Sequence, residues 1–179
     1  MKLRHLARAT AAAAALAVSV LAAPATASAD DGPHPEAGTH CTGWEEVYGR
    51  DGYTFTAFRT CVQVGDREGR SAMYIETDKN TYWWGGAWYN TTPGYDARVS
   101  ATVTMDANPV RGGPSVSQRG SWTQTSRGEE LVFGPIGIIR CGVRHLDVTY
   151  YQVGGYYDAD RAIDVKRSYD DFVIPCSFD

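Results

Sequence analysis

Three histidines follow residue 30: His34, His40 and His145. None has the H-x-x-x-H or H-E-x-x-H spacing that sets two imidazoles on one side of a metal. Asp158, Asp160 and Asp164 offer oxygens to a hard cation, but the acidic calcium loop closed by a glutamate is missing. The carboxylate pairs Glu45-Glu46, Glu129-Glu130 and Asp170-Asp171 are sequence neighbours. In a strand, neighbours point to opposite faces, so no pair makes a local acid/base couple. There is no G-x-S-x-G elbow, and no glycine-rich phosphate loop. His145 has no evident partner as a base. We therefore expect no catalytic residue, no metal and no cofactor, and a protein that works by binding.

The richest chemistry lies between Thr81 and Asn90, where Tyr82, Trp83, Trp84, Trp88 and Tyr89 surround Gly85-Gly86. Gly-Gly accepts the positive φ that two-residue hairpin turns demand. The expected hairpin sets Trp83 opposite Trp88 and Tyr82 opposite Tyr89. Trp83 and Trp88 then share one side, and Tyr82, Trp84 and Tyr89 the other. One side can face a core; the second must meet another layer, a loop or a ligand. Flat tyrosine and tryptophan faces suit stacking on sugar rings, and Asn90, Thr91 and Thr92 can bond hydroxyls. In a β protein such clusters also serve as plain packing.

The scaffold around this stretch is bounded by the rest of the sequence. Lys2, Arg4 and Arg8, the Ala/Leu/Val-rich run over 9–23, Pro24 and Ala27-Ser28-Ala29 make a secretory signal peptide over 1–29. Its removal takes three of 17 basic residues and none of 21 acidic ones, so the formal charge moves from −4 to −7. That charge disfavours nucleic acid and anionic membrane surfaces as partners, and no later run is apolar enough to insert in a membrane. Four cysteines in an exported chain imply two disulfides. A hairpin of 41–49 with 53–64 around Arg50-Asp51-Gly52 puts Gly49 opposite Tyr53, Val47 opposite Phe55, Trp44 opposite Phe58 and Cys41 opposite Cys61. Cys41–Cys61 is therefore the expected pair, leaving Cys141–Cys176.

Taken in order, residues 30–40 read as a flexible leader, and 41–179 as one domain. A third strand is expected over 70–77, with Asp78-Lys79-Asn80 turning into the aromatic hairpin. Residues 98–106 alternate, with Val99, Ala101, Val103 and Met105 on one face. The Pro, Gly and Ser content of 107–120 predicts a long loop. Strands follow over 121–125, 129–133, 136–143 and 146–153, with turns at Gly134-Pro135, Arg144-His145 and Gly154-Gly155. Residues 158–167 lean to strand, and 172–176 close the chain. About eight to ten short strands without a long helix predict an antiparallel β-sandwich.

The sequence thus reads as a secreted, non-catalytic module. The expected ligand is a polysaccharide or cell-wall carbohydrate held by Tyr82, Trp83, Trp84, Trp88, Tyr89 and Asn90. The competing reading is a peptidase inhibitor or protein-interaction domain, with an extracellular protein partner meeting the 107–120 loop through Val110-Arg111-Gly112.

Overall fold

Apolar residues at every second position can be buried only if the chain is extended and lies against a second layer. In the computed structural model, which describes residues 34–65, 71–92, 95–106, 115–124, 129–137, 139–157 and 161–177, that is the outcome. The strands are β1 (His34–Pro35), β2 (Gly38–Cys41), β3 (Glu45–Tyr48), β4 (Thr54–Val64), β5 (Ser71–Trp84) and β6 (Ala87–Asn90). They continue as β7 (Ala97–Asp106), β8 (Ser115–Gln124), β9 (Glu129–Gly137), β10 (Gly142–Gly154), β11 (Ile163–Ile174) and β12 (Cys176–Ser177). A six-stranded sheet runs β2-β4-β5-β6, with β3 also beside β4 and β9 beside β5; a four-stranded sheet runs β11-β10-β7-β8. β1 and β12 form a small ribbon. All these pairings are antiparallel, and the described residues include no α-helix, as the expected sandwich requires.

Phe58, Val62, Met73 and Ile75 of the six-stranded sheet meet Val99, Val103, Met105, Leu146, Val148 and Tyr150 of the four-stranded one in a single buried cluster. Phe58 and Tyr150 stack across the layers, with centroids 4.6 Å apart and planes 3° from parallel. β7 has the predicted alternation: Val99, Ala101, Val103 and Met105 are buried, while Arg98 and Ser100 face water. Both expected disulfides are present, and Cys41 lies directly opposite Cys61.

Several local expectations are corrected. β3 is shifted by one, so that Val47 faces Thr56 and Tyr48 faces Phe55, and one extra residue within Thr42–Trp44 restores Cys41 opposite Cys61. The connection at 50–52 is a 3-10 turn, with both Asp51 and Gly52 left-handed at φ 63° and 71°. Gly49 N–H bonds Thr54 O at 2.9 Å, which makes the loop one residue longer than the expected three-residue form. β5 runs straight through Asp78-Lys79-Asn80, and a bulge opposite Ala57 and Phe58 absorbs the extra residue. β10 likewise runs straight through Arg144-His145, and β11 carries the extra residue, with Asp170 and Asp171 opposite His145. β9 continues past Gly134-Pro135, where slips in its register against Ser71–Met73 accommodate the proline.

Residues 115–120, expected in the loop, belong to the edge strand β8, because β7 supplies a continuous ladder for a sequence with little propensity of its own. The remainder of that loop, with Val110-Arg111-Gly112, lies outside the described residues, as do the signal peptide, Asp158 and Asp160. Of the expected flexible leader, His34–Pro35 and Gly38–Cys41 are strands that pair with β12 and β4. Backbone ladders and the Cys41–Cys61 disulfide hold them, so no apolar period marks them.

Polar residues sit at the centre of the sandwich. Asn80 is buried and donates from Nδ2 to Gln124 O at 3.3 Å, while Gln152 Nε2 donates to Asn80 Oδ1 at 3.0 Å. Gln124 Nε2 donates to Lys79 O at 3.0 Å, and the Tyr150 hydroxyl donates to Gln152 Oε1 at 2.6 Å. Thr56 Oγ1 also donates to Lys79 O. Because the members of this group satisfy one another, removing one exposes the others' desolvation cost. Asn80→Ala should therefore lower unfolding stability by about 1–3 kcal/mol, read as a shifted urea midpoint at constant m-value, since it strands the Gln152 amide. A midpoint equal to wild type would contradict this.

Candidate functional site

Gly85 and Gly86 have φ of 58° and 90°, so both turn residues are left-handed, as a type I′ hairpin requires. The pairs are Trp84↔Ala87, Trp83↔Trp88, Tyr82↔Tyr89 and Thr81↔Asn90, in the register expected from the sequence. The two sides of this hairpin meet different surroundings.

On the side carrying Tyr82, Trp84 and Tyr89 the chain itself covers Tyr82, whereas Tyr89 stays 43% exposed. Tyr82 stacks on Tyr156 at 4.4 Å and 6° and touches Tyr89 at 5.8 Å. The Tyr157 hydroxyl donates to Trp83 O at 2.5 Å, and its ring meets Tyr53 at 5.9 Å. Partial burial, reinforced by neighbouring Tyr156, raises the Tyr157 phenol above its ordinary pKa. Arg161 lies over Tyr53 at 4.4 Å and bonds Asp51 at 2.7 Å, tying the 50–53 loop to the end of the β10–β11 connection. Nearby, Thr54 Oγ1 donates to Arg161 O at 2.8 Å. A Cβ on Gly49 would lie 2.0 Å from that hydroxyl and 2.2 Å from Arg161 O, so only glycine fits there. Trp84, at the tip, remains 56% exposed.

The other side, with Trp83 and Trp88, lies on the outer surface of the six-stranded sheet. Trp88 is 6.0 Å from Phe55, 6.1 Å from Tyr48 and 5.5 Å from Trp83. Tyr48 and Phe55 are 4.9 Å apart. Tyr48 is 54% exposed and Trp88 42%. Register places Thr81 and Asn90 in the same cross-strand row as Tyr48 and Phe55, so a hydroxyl and an amide border the rings. Lys79 Nζ lies 5.5 Å from the Phe55 centroid, and the next row is Glu46, Ala57 and Lys79.

Of the residues singled out from sequence, Trp83, Trp88 and Asn90 share this open side, whereas Tyr82, Trp84 and Tyr89 belong to the other. Tyr48 and Phe55 escaped the sequence reading because the assumed three-residue loop placed Val47 opposite Phe55. With the longer loop, the partner is a tyrosine facing out. Trp44, expected opposite Phe58, instead lies at the extra residue between β2 and β3, with Arg59 4.8 Å from its ring centroid.

His145 does have partners. Its Nδ1 is 2.6 Å from Asp170 Oδ1 and its Nε2 is 3.1 Å from Asp147 Oδ2, while Ser168 Oγ donates to Asp147 at 2.5 Å. The β11 bulge opposite His145 includes Asp170, which lies 25 positions away in sequence. Both ring nitrogens face carboxylates, and the serine bonds an aspartate, so this group is not a serine–histidine couple. Hydrogen bonds donated by the ring to Asp170 and Asp147 raise the His145 pKa, and the bond from Ser168 chiefly lowers that of Asp147. His40 Nε2 contacts Glu36 O at 3.0 Å. Glu45 is held by Arg167 at 3.1 Å and Tyr169 at 3.3 Å, and Glu46 faces the opposite side of β3. Among the described residues no group of three or more His, Cys, Asp or Glu is placed to hold a metal, and no helix is long and apolar enough to cross a membrane.

No protein-family model, curated protein or solved structure matches the chain.

The raised His145 pKa favours the folded state when the ring is charged. Its contribution is complete below the unfolded-state value of about 6.5 and is lost as pH rises through the folded-state value. An NMR titration should place the His145 midpoint above about 6.5, and the stability deficit of His145→Gln should shrink as pH rises. A deficit constant across that range would show that the ion pairs contribute nothing.

Proposed function

We propose that this protein is a secreted, non-catalytic domain that binds polysaccharide. The observation that carries the reading is the open aromatic group of Tyr48, Phe55, Trp83 and Trp88 on the outer surface of a disulfide-braced sheet, two of whose rings are half-exposed. Aromatic side chains on strands lose little entropy on binding, and their apolar faces match the C–H faces of pyranose rings. Asn90 and Thr81 supply the few directed polar contacts that orient a sugar. The two disulfides accord with an oxidising, extracellular setting, as does the lack of a membrane-crossing helix among the described residues.

Co-sedimentation with cellulose, chitin and bacterial cell-wall material tests this reading. Retention is expected on at least one polymer, and Trp88→Ala or Tyr48→Ala should weaken it about tenfold, the scale for losing an aromatic anchor. Tyr151→Ala, on the four-stranded sheet, should leave retention unchanged. If none of the three polymers retains the wild-type protein, the proposal fails.

A further inference from the structure

The open aromatic group is not the only ring site on the outer surface of the six-stranded sheet. Trp44 is 46% exposed on the same surface, beside Arg59 and Glu76, whose outward side chains pair at 2.5 Å. The Arg59 guanidinium stands over the indole at 4.8 Å, so one ring face is held by a fixed cation and the rest is presented to solvent. Trp44 and Tyr48 are four positions apart along the chain, about 13 Å at roughly 3.3 Å per residue in extended chain. That is longer than one sugar ring, so no single residue of a glycan reaches both. Between them lies the cross-strand row of Glu46, Ala57 and Lys79. Its centre is a methyl group, and its ends carry one negative and one positive charge.

We propose, building on the polysaccharide reading, that this surface is an extended track for a single uncharged glycan chain. The chain runs along β3 and β4 from the Tyr48–Trp88 group to a second ring site at Trp44. Three features select that occupant. Trp83 and Trp88 are inclined at 68°, and Tyr48 and Trp88 at 55°, so the rings share no common plane. A crystalline polymer face needs coplanar rings; a flexible single chain can follow an uneven surface. Glu46 is matched by Lys79 and Glu76 by Arg59, so the track carries no excess charge to draw an acidic polymer, and the whole chain's net charge of −4 repels one. Ala57, 4% exposed, lies beneath its neighbours, so no large side chain rises between the two ring sites, and Glu46 and Lys79 flank the path in reach of the glycan's hydroxyls.

Calorimetric titration with cello- and chito-oligosaccharides, from disaccharide to hexasaccharide, tests the track. Affinity should rise at least tenfold from the shortest to the longest binding oligomer, and Trp44→Ala should abolish that gain while leaving affinity for the shortest one unchanged. The unchanged short-chain affinity also reports that the variant is folded. Equal affinity at all lengths would overturn the track and leave the single-site reading standing. So would a Trp44→Ala variant that behaves as wild type or weakens all lengths equally, or preferential binding to crystalline cellulose or to polygalacturonate over the neutral oligosaccharides. Failure of every oligosaccharide and polymer to bind would remove both the track and the polysaccharide reading.

Discussion

Burial of Asn80 against Gln124 and Gln152 couples the two sheets and sets the register on which the aromatic site depends. Asn80 points inward from β5, with Thr56 opposite it on β4. Because strand side chains alternate, an inward Asn80 puts Tyr82 on the same side and Thr81 and Trp83 on the outer surface. A slip of one residue would exchange the two sides and leave an amide facing water and an indole facing the network. The network also answers why polar residues interrupt the apolar pattern of β5. Asn80 and the Lys79 carbonyl find partners on β4, β8 and β10, so the strand continues where the sequence suggests a turn. The Tyr150 phenol belongs to the same group, and burial pushes its pKa far up, keeping it a neutral hydrogen-bond donor.

From that register the two sides of the β5–β6 hairpin acquire different roles. On one, Tyr156 and Tyr157 fill the space against Tyr82, and Arg161 bridges to Tyr53 and Asp51. These contacts cover Tyr82 and tie the hairpin to the 50–53 loop and the end of the β10–β11 connection, while Trp84 and Tyr89 stay exposed. On the other, Trp83, Trp88, Phe55 and Tyr48 touch one another with no layer above Tyr48 and Trp88 sufficient to bury them. A binding surface gains from that division, since rings fixed from behind lose less freedom when a ligand arrives in front.

The sandwich is fastened along the β3–β11 side by a different chemistry. Glu45 accepts from Arg167 Nε and the Tyr169 hydroxyl, and burial together with the Glu45 charge pushes the Tyr169 phenol up to about 12. Further along β11, His145 is held between Asp147 and Asp170. Such partly exposed ion pairs contribute only about 0–1 kcal/mol each, so they tune this side rather than hold it. The cross-sheet stack of Phe58 on Tyr150 and the apolar cluster around it carry the larger share of the stability.

Features that arise from local chain geometry were legible in the sequence. The type I′ turn at Gly85-Gly86 and its four cross-strand pairs follow from two glycines and strand alternation. The buried face of β7 follows from its period of two, and Cys41–Cys61 from cysteine spacing across a hairpin. Features that depend on what lies opposite were not legible. A loop one residue longer than expected at 50–53 moved Tyr48 opposite Phe55, and one extra residue at Thr42–Trp44 restored Cys41 opposite Cys61, a change of register that no propensity records. β8 became a strand over residues 115–120 because β7 offered it a ladder, and His145 met Asp170 because a bulge in β11 lies opposite it. The sequence alone determined that aromatic rings would stand on both sides of one hairpin. Only the tertiary structure decided which side would be covered, because that depends on where Tyr156, Tyr157 and Arg161 return in space.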